Sequence, residues 1–431
     1  MPRSAKGSRD RPRSVLVLGS DTRSFLAVIR SLGRRGLRVH VAGAPPTAPA
    51  LRSRYVDAIH HLPSYAADPD AWTRALGALL RREPFDLVIP CDDPTLLPLQ
   101  LHRAELEPFG YLYVLSQEAF DVTTNKHRTS QLARQLGVPV PRECAASSTV
   151  DADGIVSKLG LPLVIKPVSS FAIDDLTVRR DVQTAYTVEG VRKGLSELLR
   201  HGPVQVQEHF RGSGAGVEVL VHDGNVLFAF QHLRVHEPPE GGGSSYRKSV
   251  PLNRDLLHAT QRLMAALRYT GVAMVEFKID SRTGRWILVE TNGRFWGSLP
   301  LAVAAGADFP YYLYQMLVHG RRDFPAGYQT GLYARNWVQD ASWLLQKLTG
   351  DQSNPHLLTR PWWQVVAEFS NILKLRERSD TFVLDDPWPA FAEIRHMLRK
   401  RIARVIRRAP DNHRLVDRLS PVERRCAGRS G

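Results

Sequence analysis

The sequence predicts an α/β layer, doubly wound around a parallel sheet, followed by an α+β region and a mainly helical C-terminal extension. In the first part, short apolar runs alternate with amphipathic stretches at the spacing of strand–helix–strand units. In the middle part, alternating strands are joined by short turns, and after about residue 330 the apolar side chains recur at helical spacing.

The N-terminal layer begins with the apolar run 14–19, continues through an amphipathic stretch at 25–32 and returns as a second strand at 37–42. A later strand at 85–90 is followed directly by the triplet 91–93, Cys-Asp-Asp. The first turn lacks a GxGxxG pattern, and the second strand ends in Val-Ala-Gly where a ribose-binding acid is expected. The sequence therefore argues against a dinucleotide site in this layer.

Length and composition are typical of a soluble globular chain. The 431 residues are 43% hydrophobic and 23% charged, which is enough to build a buried core. No apolar run reaches the roughly 18 residues of a membrane span, and the first run, 15–18, is too short for a signal peptide. Three scattered cysteines give neither a disulfide framework nor a CxxC metal clip. We expect a protein of the reducing cytoplasm.

The formal net charge of +15 is concentrated at the two ends of the chain. Residues 1–13 carry a net +4 and residues 395–431 a net +9, so the chain between them is nearly neutral. This distribution argues against a specific nucleic-acid-binding body and leaves binding through the tails open.

Residues 390–409 predict one helix with an apolar stripe and a basic back. The apolar side chains stand at positions 391, 394, 398, 402, 405 and 406. Such a helix suits a peripheral contact with an acidic partner or with the anionic inner surface of a membrane. Packing of the stripe against the protein's own body is the alternative.

The middle region contains the candidate site. We predict a helix at 123–136 that stops at Gly137, and a mobile loop at 237–245. The predicted strands are 161–166, 204–210, 217–221, 226–234, 272–279 and 285–291, and a further helix spans 256–267.

Two acidic side chains lie near the ends of consecutive predicted strands. Glu276 and Glu290 are separated by a short turn, which predicts an antiparallel pair with both carboxylates and Asn292 on one face. A divalent cation would offset their desolvation and mutual repulsion. Oxygen ligands of this kind suit Mg²⁺, with Mn²⁺ as a substitute. The alternative is a pair of surface residues matched by Lys278 or Arg285.

Four cationic side chains are candidates for binding anions. Lys166 ends a strand before a proline, and Lys126 stands at a helix start, where free backbone N–H groups favour anions. Arg294 follows the second acidic strand, and its guanidinium can hold a phosphate or carboxylate at two points. Arg234 ends a hairpin near the glycine loop. Each of the lysines alone, and Arg234, is equally consistent with a solvated surface residue.

The strand end 208–210, Glu-His-Phe, offers backbone N–H and C=O groups and an aromatic ring, as an adenine base requires. The glycine run 212–216 that follows is a weak phosphate-loop mimic, because it leads into another strand and not into a helix.

In order and spacing, five segments resemble the ATP-grasp superfamily of carboxylate–amine ligases, which includes the ATP-binding domain of carbamoyl-phosphate synthase. They are Asn125-Lys126 with GVPVP after it, LPLVIKP, VQVQEHF, VEF and LVETNGRFWGS, and they cover about residues 120–310. The preceding α/β layer resembles the preATP-grasp domain of that superfamily.

The resemblance implies ATP and Mg²⁺ as cofactors and a role for each candidate residue. ATP would be bound by Lys126, Lys166, Gln207, Glu208, His209, Phe210 and, at the ribose, Glu218. The metal would be held by Glu276, Glu290 and Asn292. The substrates, a small-molecule carboxylate and an amine, would meet Arg234, Gly243, Ser244 and Arg294, with Arg294 and Lys166 as catalytic residues.

The reaction implied is attack of the carboxylate on the γ-phosphate of ATP, followed by displacement of the acyl phosphate by the amine to give an amide. The loop 237–245 would close over the acceptor and exclude water. A non-catalytic nucleotide-binding scaffold is the alternative. Homodimers are common in the superfamily, which makes a homodimer a further expectation.

The resemblance also divides the chain. It gives a basic tail (1–13), a preATP-grasp domain (14–120), an ATP-grasp domain (121–330) with a lid-like subdomain (162–235), a helical extension (331–409) and a second basic tail (410–431). One segment departs from the superfamily. The loop after Lys166 and Pro167 usually covers the phosphates with glycines, and residues 168–175 contain none. Either its serines contact phosphate or the loop serves another purpose.

Overall fold

The computed structural model describes residues 13–20, 23–173, 175–238, 243–349, 361–373 and 375–408. The two predicted basic tails, apart from Arg13, and the centre of the predicted loop 237–245 lie outside these ranges. Of the helices described, none combines the length and the apolar character needed to cross a bilayer.

The N-terminal layer is a parallel sheet with helices on both faces, as predicted. Its elements are β1 (Ser14–Leu18), α1 (Arg23–Arg34), β2 (Arg38–Ala42), β3 (Val56–His60), α2 (Pro69–Arg82), β4 (Leu87–Pro90), α3 (Asp93–Leu101), α4 (Arg103–Leu106) and α5 (Gln117–Thr123). The strand order is β3-β2-β1-β4, all parallel. Because side chains alternate along a strand, Val15 and Val17 pack with α1 and Leu16 and Leu18 pack with α2.

A small second sheet follows. Its elements are α6 (Lys126–Gln135), β5 (Glu143–Ala146), α7 (Ala152–Leu159), β6 (Leu163–Pro167), β7 (Gln183–Ala185), α8 (Val188–Leu198) and β8 (Val204–Glu208). The four strands are antiparallel in the order β5-β8-β6-β7, and α7 and α8 cover them. The sheet therefore spans 143–208, which differs from the expected lid-like subdomain at 162–235.

The difference arises because the predicted hairpin belongs to a larger sheet. The elements here are β9 (Ser213–His222), β10 (Asn225–His236), β11 (Tyr246–Val250), α9 (Arg254–Ala266), β12 (Gly271–Ile279), β13 (Trp286–Asn292), α10 (Leu299–Ala304) and α11 (Phe309–Val318). The long strand β9 pairs with β10 on one side and with β12 on the other. This pairing places the hairpin in the main core and not with the small sheet.

The C-terminal extension is less purely helical than predicted. It contains β14 (Tyr333–Arg335), α12 (Trp337–Thr349), α13 (Trp362–Glu368), α14 (Ser370–Leu373), β15 (Glu377–Ser379) and α15 (Trp388–Arg408). Strand β14 pairs with β11 and β15 pairs with β14, so both extend the large sheet, in the order β13-β12-β9-β10-β11-β14-β15. Arg335 on β14 is fully buried and forms ion pairs with Asp340 and Glu377.

The predicted C-terminal helix is present as α15. The described members of its apolar stripe, Phe391, Ile394 and Leu398, are 54%, 46% and 50% exposed. About half of each of these side chains is exposed, and the Phe391 ring lies edge-on to the Phe382 ring, with centroids 6.4 Å apart. Contact with an acidic partner or a membrane stays a prediction from the sequence.

The ion pairs of Arg335 allow a stability test. The substitution Arg335→Gln leaves the buried carboxylates of Asp340 and Glu377 without a cation, and we expect it to lower the free energy of unfolding by about 3 kcal/mol or more. Arg192→Gln removes a solvent-exposed ion pair with Asp153 and should cost less than about 1 kcal/mol. Equilibrium denaturant unfolding measures both, and equal small losses would contradict the assigned role of Arg335.

Candidate active site

A cavity of about 570 Å³ lies between the small sheet and the large sheet. The small sheet lines it with residues of β6 and β8, and the large sheet with residues of β10, β12 and β13. The N-terminal layer contributes Arg23, and the extension contributes Trp343 and Gln364. All four parts of the chain therefore meet at this cavity.

The two predicted acidic residues lie side by side in its wall. Strands β12 and β13 are antiparallel, and Glu276 pairs directly with Glu290. The Asn292 amide nitrogen lies 3.2 Å from Glu276 Oε1 and 3.3 Å from Glu290 Oε1. The predicted register is present, and it brings three oxygen-bearing side chains to one point.

The surroundings of these two carboxylates differ. Burial raises the pKa of Glu276, although Arg234 forms an ion pair with it. Burial alone would also raise the pKa of Glu290, but Lys126 and Lys166 outweigh it and lower this pKa to about 2. Glu290 is thus ionised in neutral solution, and Glu276 carries a desolvation cost that a cation would offset. Hard oxygen donors in this state fit Mg²⁺.

The two lysines reach this pair of carboxylates from different directions. Lys166 ends β6 and is 8% exposed, and burial lowers its pKa to about 8. Lys126 begins α6, and burial lowers its pKa as well. A smaller cavity of about 80 Å³ is lined by Lys126 and Ser170 together with Glu290. Both lysines therefore lie near the acidic wall.

The glycine-poor segment after β6 has a defined contact. Ser170 accepts a hydrogen bond of 2.7 Å from Lys126 Nζ, and Ser169 and Phe171 also line the smaller cavity. The serines therefore lie beside the lysine that the resemblance places on phosphate.

Arg294 lines the main cavity and is fixed by a partner from the N-terminal layer. Its guanidinium donates two hydrogen bonds, of 3.1 and 2.9 Å, to the carboxylate of Asp93. Burial alone would lower the pKa of the Arg294 guanidinium. The carboxylate of Asp93 outweighs this effect and raises the pKa of Arg294. The sequence places Asp93 just after β4 but gives it no role, because the two residues are 201 positions apart.

The far end of the cavity is rich in nitrogen–hydrogen donors. Arg23 and Arg247 share the buried carboxylate of Asp380, and Arg23 also donates to the backbone oxygen of Ser244. Among the described residues, Arg247 Nε and Trp296 Nε1 are buried and have no hydrogen-bond partner. Since both residues line the cavity, this end can accept an anionic or hydrogen-bond-accepting group. Gly243 lines the same end.

The hinge residues Gln207, Glu208, His209 and Phe210 all line the cavity. The side-chain amide of Gln207 donates to Glu143, so this side chain is already engaged. The backbone N–H groups of Glu208 and His209 also donate within the protein. The Phe210 ring lines the cavity beside these residues and can pack against a ligand.

One expectation needs correction. Glu218 is fully buried between Ser298, at 2.7 Å, and His232, at 2.9 Å, and it does not line the cavity, so it cannot reach a ribose. Arg234 lines the cavity and forms ion pairs with Glu276 and Glu237, so it compensates the charge of the acidic wall. Its role toward a substrate stays a prediction.

The extension holds both ends of the loop 237–245. At the first end, His236 lies between Asp340 and Glu368, at 2.7 Å from each, and stacks on the Trp343 ring at 3.7 Å. At the second end, Ser245 donates to the same Asp340 carboxylate at 2.6 Å. The base of the loop is therefore fixed by residues that the sequence-based site does not include.

The chain matches the model of a family described as ATP-grasp in the biosynthetic pathway with Ter operon, over residues 201–339. This segment runs from before the hinge to the start of α12 and contains both acidic strands.

Two curated relatives match part of the chain. The formate-dependent phosphoribosylglycinamide formyltransferase of Synechococcus sp. is 34% identical over 161 residues, which is 37% of this chain and 38% of that protein. The carbamoyl phosphate synthase large chain of Thermoanaerobacter pseudethanolicus is 23% identical over 225 residues, 51% of this chain and 20% of that protein. The chain thus spans about a fifth to two fifths of the length of these relatives.

A solved structure shares the fold. The N5-carboxyaminoimidazole synthetase of Staphylococcus aureus complexed with ADP has a TM-score of 0.60 at 13% identity, covering 84% of this chain and 98% of that one. Together with the family match over residues 201–339, this likeness shows that the chain has an ATP-grasp fold.

Proposed function

We propose that this protein is an ATP- and Mg²⁺-dependent ligase that joins a carboxylate to an amine through an amide-type C–N bond. The observation that carries the proposal is the meeting of Glu276, Glu290 and Asn292 with Lys166 at the main cavity, together with Lys126 at the smaller cavity, which Glu290 and Asn292 also line. A protein that only binds nucleotide does not need two carboxylates buried side by side at such a cost. A solved structure of similar fold is complexed with ADP, which supports a nucleotide ligand.

The charge of the cavity suits a polyanion. Seven lysine and arginine side chains and four glutamates line it, which leaves an excess of positive charge. The triphosphate of ATP would lie against Lys166 and Lys126, with Ser170 beside the second lysine. Adenine would lie on the hinge, with its edge at the backbone and its face on Phe210. Glu218 does not line the cavity, so no residue is proposed for the ribose.

Glu276, Glu290 and Asn292 would hold Mg²⁺, which when bound neutralises phosphate charge and orients the γ-phosphate. Phosphoryl transfer depends mainly on positioning and on charge stabilisation, and these side chains supply both. Arg294 is held rigidly by Asp93, so its guanidinium is preorganised to stabilise the transferred phosphoryl group.

The reaction would run in two balanced steps. An oxygen of the substrate carboxylate attacks the γ-phosphorus of ATP, ADP leaves, and an acyl phosphate forms. The amine nitrogen then attacks the acyl carbon, inorganic phosphate leaves, the nitrogen loses a proton, and an amide results. Gly243 and Ser244, at the far end of the cavity, would lie against the acceptor.

The acid substrate would bind at the far end through an anionic or acceptor group. Within the described part of the chain, Arg247 Nε and Trp296 Nε1 have no hydrogen-bond partner, and Arg23 lines the same cavity. Burial and the neighbouring Arg247 lower the pKa of Arg23 to about 10, and an additional anion would relieve that crowding of positive charge. Arg23 and Arg247 share a single carboxylate, that of Asp380.

We expect ADP release when ATP and Mg²⁺ are supplied with a screen of carboxylate and amine pairs. Glu290→Gln should lower the rate with the active pair by at least about 100-fold, because it removes a charged metal ligand. Glu189→Gln, a solvent-exposed glutamate on α8, is the matched control and should retain full activity. Magnesium-dependent nucleotide binding without ADP release for any pair would contradict a ligase and support a scaffold.

Nucleotide affinity should depend on pH through Lys166. Its pKa is lowered to about 8, so the side chain is cationic below that pH and loses its charge as the pH rises through it. The affinity for a non-hydrolysable ATP analogue with Mg²⁺ should therefore fall above pH 8, by up to about tenfold per pH unit. Lys166→Arg keeps its charge and should flatten this profile. Identical calorimetric profiles for the two proteins would contradict the assignment of Lys166.

A further inference from the structure

Three metal-binding side chains meet in the N-terminal layer, outside the nucleotide cavity. His40 lies in β2, His60 ends β3, and Glu83 follows α2, where its N–H donates to the backbone oxygen of Leu79. His40 Nδ1 lies 2.9 Å from His60 Nε2 and 3.1 Å from Glu83 Oε2, and the last two atoms are 3.8 Å apart. None of the three lines the nucleotide cavity.

This position is unusual for polar side chains. Strand alternation puts His40 on the same face of β2 as Ala42, which belongs to the apolar core between the sheet and α2. His40 is 6% exposed, and the Phe85 ring packs edge-on against both imidazoles, at 5.1 and 6.4 Å. A polar group buried among apolar neighbours costs free energy unless a partner compensates it.

One polar atom of each of these three side chains faces the other two. Among the described residues, His40 Nε2 has no partner, so the polar contacts of that ring are made at Nδ1. The two oxygens of the Glu83 carboxylate have different partners. Oε1 accepts a hydrogen bond from Arg82, and Oε2 faces the two imidazoles.

One ring nitrogen of each imidazole and one oxygen of Glu83 face one another at this point. Two neutral imidazoles and a carboxylate are the ligands that a transition metal takes up at neutral pH.

The distances fit a tetrahedral ion. Ligand atoms at about 2.0–2.1 Å from Zn²⁺ are separated by about 3.3 Å. The three distances between the ligand atoms here are 2.9, 3.1 and 3.8 Å, which lie on both sides of that value. The ring planes are inclined by 16° with centroids 5.2 Å apart, and His40 Nδ1 and His60 Nε2 face each other, so a small rotation of the two rings would open room for an ion between these nitrogens.

We propose that His40, His60 and Glu83 form a second metal site, which binds Zn²⁺ or a similar divalent transition metal. Two nitrogen ligands distinguish it from the oxygen-lined site of Glu276 and Glu290, because Mg²⁺ prefers oxygen and imidazole suits Zn²⁺. The Glu83 side chain is 32% exposed, so water can supply a fourth ligand.

The site would connect three separate elements. His60 lies on β3, the edge strand of the N-terminal sheet, His40 lies on the neighbouring β2, and Glu83 stands at the end of the helix that covers this face. A bound ion would therefore join the sheet edge to α2, and we expect it to stabilise the N-terminal layer.

The test uses the untagged full-length chain, stripped of metal with a chelator and titrated with Co²⁺ in excess Mg²⁺. We expect one equivalent to bind with the visible absorption of tetrahedral Co²⁺ and to be displaced by one equivalent of Zn²⁺. His60→Ala should abolish that absorption, and Glu83→Gln should weaken binding by at least about tenfold. His61→Ala changes the adjacent, exposed histidine and should leave binding unchanged.

Magnesium-dependent nucleotide binding at the separate cavity shows whether each variant is folded. Should His60→Ala fail this check, Glu83→Gln decides, because its side chain is partly exposed and its loss leaves the apolar core intact. Absence of the Co²⁺ absorption in the wild-type chain would overturn the proposal. So would its persistence in Glu83→Gln at wild-type affinity, or an equal loss in His61→Ala.

Discussion

Two carboxylates buried side by side impose the strongest constraint on this structure. Glu276 and Glu290 face each other across paired strands, and the cost of removing two like charges from water must be offset by cations. The chain supplies these cations from separate segments: Arg234 from β10, Lys166 from β6 and Lys126 from α6. The small sheet, the large sheet and α6 therefore have to meet at this point.

The same constraint explains the glycine run that begins β9. A Cβ atom on Gly216 would lie 2.3 Å from the His232 ring, and one on Gly214 would lie 2.5 Å from the Arg234 side chain. The glycines thus leave room for side chains of the neighbouring strand, and Arg234 is the residue that reaches Glu276. The glycine run resembles a phosphate loop in sequence, but in the structure its glycines make room for side chains that pack beside the acidic wall.

Contacts between segments close in sequence could be predicted, whereas contacts between distant segments could not. The antiparallel pair of Glu276 and Glu290 was predictable, because a short turn joins their strands and fixes the register. The parallel layer followed from apolar periodicity in the same way.

Contacts between distant parts of the chain could not be derived like this. Arg294 meets Asp93 across 201 positions and Arg23 meets Asp380 across 357, and no local pattern encodes such pairs. The position of Glu218 on a strand is visible in the sequence, but the face on which its side chain is buried is not. The sequence also does not show that the hairpin pairs with β12, because the strand partners of β9 beyond its nearest neighbour depend on distant residues.

The extension has a consequence for how the chain can be divided. Strand β14 pairs with the outer side of β11, and β15 pairs with the outer side of β14. The segment matched by the family model ends after β14, so its outermost strand is paired by β15, which lies beyond that segment. A shortened chain ending near residue 330 would present β11 as a bare edge with unpaired N–H and C=O groups, which is a template for self-association. The C-terminal strands β14 and β15 thus cover the edge of the large sheet that β11 would otherwise expose.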